Sequence, residues 1–75
     1  MMTLMDLPVG QSAVVTRLHA QRALRQRLID LGFIEGSEIA CLFSSPLGDP
    51  HAYRVHGSVI ALRARDAASV EVMGA

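Results

Sequence analysis

Seventy-five residues and 8.1 kDa give room for one small domain, residues 1–75, and a hydrophobic fraction of 51 % with mean hydropathy +0.33 makes it globular rather than disordered. Seven arginines, no lysine and seven acidic residues leave zero formal charge, so the long basic footprint that grips a nucleic-acid backbone is not available. No apolar run reaches the ~18 residues of a membrane-spanning helix, and Met1–Gly10 has neither a basic leader nor an apolar core, so direct membrane insertion is not expected and a cytoplasmic location is.

Burial alone must hold this fold, because a single cysteine, Cys41, can form neither an internal disulfide nor a cysteine-based zinc knuckle. Phe33, Phe43 and Tyr53 are the whole aromatic complement, too few to stack unpaired bases. Thr3–Gly10 reads as an entry segment, with Leu4 and Leu7 covering one end of the core before Pro8 and Gly10 turn the chain. The β-branched run around Val14, Val15 and Thr16 predicts a strand over 12–18 with Arg17 on the solvent side. Over 20–31 the period changes: Leu24, Leu28 and Leu31 recur at helical spacing, and Gly32 supplies a left-handed C-cap after which Phe33 folds back.

From Ser37 a second strand is predicted, with Ile39, Cys41 and Phe43 inward and Leu42 on an unusually apolar outer face. Residues 44–50, with two prolines, a glycine and an aspartate, are a loop. Residues 52–56 and 58–63 then predict a hairpin about Gly57, with Tyr53 and Val55 inward, Arg54 and His56 outward, and Ile60 and Leu62 inward on the return. One helical turn over 65–69, begun by Asp66, leads to a last strand at 70–72. Five short strands and one inserted helix point to a mainly β protein, a small, partly open SH3-like barrel.

The string Arg27-Leu28-Ile29-Asp30-Leu31-Gly32-Phe33-Ile34-Glu35-Gly36, followed by Leu47-Gly48-Asp49-Pro50, then Tyr53, Val55, Gly57 and Ile60-Ala61-Leu62-Arg63, resembles the FeoA family. The likeness runs from Leu4, Leu7 and Gly10 to Val70 and Val72; Glu35, where the family usually has proline, and His51, often an apolar position, depart from it. The resemblance implies a cytoplasmic SH3-like protein of bacterial ferrous-iron uptake that works with FeoB, a membrane permease bearing a GTPase domain, and that has no catalytic activity. It also implies kinship with the C-terminal domain of iron-dependent repressors, which makes a metal-responsive or self-associating regulatory domain the alternative. The chain shows no counterpart of the repressors' winged-helix and dimerisation parts, so a free-standing interaction module is expected.

Catalytic motifs are missing, and Cys41, on the presumed core face, reads as packing rather than as a nucleophile. His19, Asp49, His51 and His56 are the candidate metal ligands, with imidazoles suited to zinc or iron. His51 and His56, if on one strand, lie about 16 Å apart at ~3.3 Å per residue, so a surface or intermolecular ion is the form such binding would take, and no cofactor is required. Asp49 reads first as a turn former accepting local backbone N–H bonds. Arg17, Arg22 and Arg25, with Arg27, gather on one stretch, and together with the apolar Ile29, Leu42 and Leu47 they are the candidate partner-binding residues. The plain alternative is a solvated helix face; a ribosome- or RNA-binding reading through the same arginines is disfavoured by the zero net charge. An open edge along residues 37–43 would permit a weak homodimer.

Overall fold

The computed structural model describes residues 1–74. In chain order they form a 3-10 turn (Leu4–Asp6), β1 (Ser12–Leu18), α1 (Arg22–Leu31), β2 (Glu38–Ser44), β3 (His51–Val55), β4 (Ser58–Leu62), α2 (Ala64–Ala67) and β5 (Val70–Gly74). The strands make one antiparallel sheet in the order β4-β3-β2-β1-β5, mainly β with a single substantial helix, as expected. Among the described residues no helix is long and apolar enough to cross a membrane.

The entry segment is tied down by a reciprocal cap: the Asp6 carboxylate accepts the Thr3 N–H at 2.8 Å, and Thr3 Oγ1 accepts the Met5 N–H at 3.2 Å. Leu4 and Leu7 are thereby buried at the end of the core. In β1, Thr16 is an extra residue between Val15, opposite Val72, and Arg17, opposite Glu71. That bulge changes the alternation, so Ala13, Val15 and Leu18 all face the core while Arg17 faces solvent. The helix begins at Arg22, two residues inside the span of 20–31; Gln21 caps it with no side-chain hydrogen bond and Arg22 itself has φ 44°. Its end follows the sequence reading: Gly32 is left-handed, its N–H reaches the Ile29 carbonyl at 3.0 Å, and the Phe33 N–H reaches the Leu28 carbonyl at 2.9 Å. Phe33 is fully buried and meets the Tyr53 ring edge-on, centroids 6.5 Å apart.

Three expectations about the sheet are corrected. Phe43 does not point inward but is 58 % exposed, because Leu42 is an extra residue between the Cys41–Tyr53 and Phe43–Ala52 pairs and reverses the alternation beyond it. His56 is not the last residue of a strand: with Gly57 it forms the two-residue hairpin turn, φ 50° and 82°, the paired left-handed geometry that matches strand twist. Nor is β2 an open edge; it lies between β1 and β3, and the sheet ends are β4 and β5. The helical turn Ala64–Ala67 starts one residue earlier than expected, behind Arg63.

Candidate docking surface

Of the four arginines that the sequence groups together, Arg17, Arg22, Arg25 and Arg27 are all exposed, yet they face different neighbours. Arg25 donates to the Leu18 carbonyl at the end of β1, 3.3 Å away. Arg27 crosses to α2 and pairs with Asp66 at 3.0 Å. Ile29 is not the exposed apolar contact expected from its offset: it is half-buried and packs against the core, because the helix buries a wider stripe than Leu24, Leu28 and Leu31 alone. Leu42 is half-buried, and Leu47, at the loop tip, is 93 % exposed.

A cleft of about 840 Å³ separates α1 from the β4–α2 junction. Leu24 and Leu31 of α1 form one wall, Ala61 and Leu62 of β4 the other, and Arg27, Arg63 and Arg65 stand around it with Asp66. Three arginines against one aspartate leave this cleft with an excess of positive charge, and the aspartate is already engaged by Arg27. Sequence reasoning missed Arg63 and Arg65, which share the cleft with Arg27 only once α1 faces the β4–α2 junction; their one sequence signal is the Arg63-Ala64-Arg65 step directly after a predicted strand. A second cleft, of about 680 Å³, is lined by Glu35, Glu38, Arg54 and His56 and carries acidic groups.

The four candidate metal ligands are dispersed, each with its own partner. His19 Nε2 lies 2.7 Å from Glu71 Oε1, and Thr16 Oγ1 donates to the other carboxylate oxygen at 3.2 Å. The His19 hydrogen bond, with Thr16 adding to it, holds the Glu71 carboxyl below its ordinary range. His51 stacks on Tyr53 with centroids 6.2 Å apart, and His56 Nε2 lies 3.1 Å from Ser37 Oγ. Asp49 is not a local turn former: its Oδ1 accepts the Ala64 N–H at 2.8 Å and so fastens the loop to the start of α2. Among the described residues no three His, Cys, Asp or Glu side chains gather as a metal site. Cys41 is buried, and burial pushes its thiol up, away from the reactive thiolate.

Comparison with known proteins agrees with this small β fold. A fusion protein of Fe(2+) transport protein A and Fe(2+) transporter FeoB from Porphyromonas gingivalis is 37 % identical over 95 % of the chain, which spans 8 % of that protein's length. The solution structure of iron(II) transport protein A from Clostridium thermocellum superposes with TM-score 0.94 at 36 % identity, over 97 % of this chain and 45 % of that one. FeoA from Stenotrophomonas maltophilia, solved in complex with zinc and described as a procaryotic SH3 domain protein, matches with TM-score 0.84 at 38 % identity, over 96 % of this chain and 89 % of that one. The fold is therefore SH3-like. The family model for the FeoA domain takes in residues 2–73, nearly the whole chain. The chain belongs to the FeoA domain family.

Proposed function

We propose that this chain is a non-enzymatic accessory domain of bacterial ferrous-iron uptake, which docks on the cytoplasmic part of a FeoB-type permease and modulates transport or its nucleotide cycle. The observation that carries this reading is the P. gingivalis fusion, in which a homologous segment and a FeoB transporter share one polypeptide. The S. maltophilia relative, described as a candidate ferrous-iron transport activating factor, supports the same role. Contact through Arg17, Arg22 and Arg25 suits it: these exposed planar donors steer docking toward an acidic surface, and Leu47 stands fully out in solvent beside no core residue it must cover. Leu42, half-buried at its bulge, is the lesser apolar contact. Titration into the isolated cytoplasmic GTPase domain of the permease tests the face: the Arg22→Ala, Arg25→Ala variant should bind about tenfold more weakly with a flatter salt dependence, and unchanged affinity would move the contact elsewhere.

A second reading is favoured by the zinc complex of the S. maltophilia relative. On this reading a surface zinc would bridge two copies of the chain through one or two ligands from each, drawn from His19, Asp49, His51 and His56. His19, with Glu71 at 2.7 Å, offers two donors in one place. Zinc-dependent dimerisation lost on His19→Ala, measured by light scattering, is its expected result; a monomer at all zinc concentrations refutes it.

A further inference from the structure

The sheet has two edges, and the chain covers only one of them. Along β5 the N-terminal segment runs as a partial extra strand: the Val72 N–H donates to the Met2 carbonyl at 2.9 Å, and Thr3 bridges Glu71. Among the described residues nothing comparable runs along β4. The Val55–Ser58 pair closes the two-residue turn, so Tyr53–Ile60 and His51–Leu62 are the other hydrogen-bonded pairs. The N–H and C=O groups of Val59 and Ala61 then point away from β3, and among the described residues no other backbone group bonds to them. Monomeric proteins usually blunt such an edge with lysine, proline or a bulge. Here β4 reads Ser58-Val59-Ile60-Ala61-Leu62, and both bulges lie elsewhere, in β1 and β2.

The Ala61–Leu62 end of this edge lines the cleft whose other wall is Leu24 and Leu31 of α1. An edge strand facing a helix across an apolar groove is the geometry in which domains capture extended peptides by strand addition, backbone bonds giving affinity and alternate side-chain pockets giving specificity. Arg27, Arg63 and Arg65 set the charge of the incoming segment, and neither Arg63 nor Arg65 has an acidic partner among the described residues. We propose that the β4 edge binds an extended acidic segment of the partner as a sixth strand, pairing with Val59 and Ala61, laying alternate apolar side chains toward Leu24 and Leu31 and its carboxylates toward Arg63 and Arg65. A second copy is the poorer occupant, because its own β4 carries no acid and leads straight into Arg63 and Arg65, and its β5 edge is already occupied. The proposal rests on the docking reading above and names the chemistry of the docked segment.

The test uses the full chain and a short capped peptide of alternating valine and glutamate, with the valine and lysine counterpart as control. On binding, the Val59 and Ala61 amides should exchange at least about tenfold more slowly with solvent, together with resonance shifts at Leu24 and Leu31. Arg63→Ala with Arg65→Ala should weaken binding about tenfold. Ala61→Pro, which removes an outward N–H that β3 does not use, should abolish it while the native spectrum persists. Peptide binding without protection of those amides, equal binding of the lysine peptide, or protection that appears with protein concentration alone would each overturn the proposal. The FeoB permease separates the two readings: if it binds wild type and Ala61→Pro equally, strand addition fails and docking stands; if it binds neither, docking fails and the peptide result decides the edge alone.

Discussion

Replacing Gly32 with alanine probes how α1 is set against the β3–β4 hairpin, and Gly36 provides its control. Both glycines are left-handed, with φ 106° and 89°, so alanine at either position carries the left-handed cost of about 1–2 kcal/mol. They differ in their surroundings. A Cβ on Gly32 would stand 2.8 Å from Val55 Cγ1 and 2.8 Å from His56 Cδ2, whereas one on Gly36 meets nothing within 4 Å. The His56 ring, on an exposed turn, can swing aside; Val55 cannot, being β-branched and 1 % exposed. Overpacking of that kind costs about 1–3 kcal/mol, so Gly36→Ala should cost about 1–2 and Gly32→Ala about 2–5 kcal/mol. At about 4–8 °C per kcal/mol for a domain of this size, thermal unfolding followed by circular dichroism should show Gly32→Ala melting at least about 4 °C below Gly36→Ala. Resonances of Val55 and His56 should move only in the first variant. Equal melting temperatures would refute the described contact between the end of α1 and the hairpin that shapes one side of the cleft.

Tyr53→Phe removes the hydroxyl that donates to the Leu4 carbonyl at 3.2 Å, which keeps the Leu7 N–H; chemical denaturation should show a loss of about 0.5–1.5 kcal/mol with an unchanged m-value, and a neutral result would contradict the bond. Glu71 has a native pKa held below its ordinary 4.5, first by the His19 hydrogen bond, so its stabilising effect is present above that value and is lost as pH falls through the lower native one. The melting-temperature gap between wild type and Glu71→Gln should therefore be open at neutral pH and close on acidification below about 4.5, and a gap that ignores pH would contradict the pairing. Cys41, buried with its thiol pushed up, should resist a thiol reagent in native buffer and react at once in denaturant; fast native labelling would place it elsewhere than in the core. Arg27→Ala should cost less than about 1 kcal/mol, because its ion pair with Asp66 is 60 % exposed on the arginine side, which leaves the variant folded for binding work.

The helix was legible because its signals are local: Leu24, Leu28 and Leu31 repeat at helical spacing, and Gly32 ends the run where a residue without Cβ is needed. The β-rich architecture followed from short β-branched runs between turn residues. Phe43 was misplaced because the bulge at Leu42 arises from pairing with β3, and no pattern within β2 announces it. His56 carried a readable signal, a residue tolerant of left-handed geometry directly before Gly57, but strand periodicity obscured it. Asp49 illustrates the same limit, since its backbone partner lies at Ala64, across the whole β3–β4 hairpin. The arginines divide in the same way: the run from Arg17 to Arg27 is visible in sequence, while the cleft that joins Arg27 to Arg63 and Arg65 exists only once β4 is placed beside α1.

The central claim is that this domain acts on a ferrous-iron permease by docking to it, and the most direct measurement is ferrous-iron uptake into proteoliposomes carrying full-length FeoB, with the chain titrated on the cytoplasmic side. The account predicts a saturable change in uptake rate that parallels co-flotation of the chain with the vesicles and weakens in the arginine variants. An uptake rate that stays constant, with the chain left behind in solution, would contradict it.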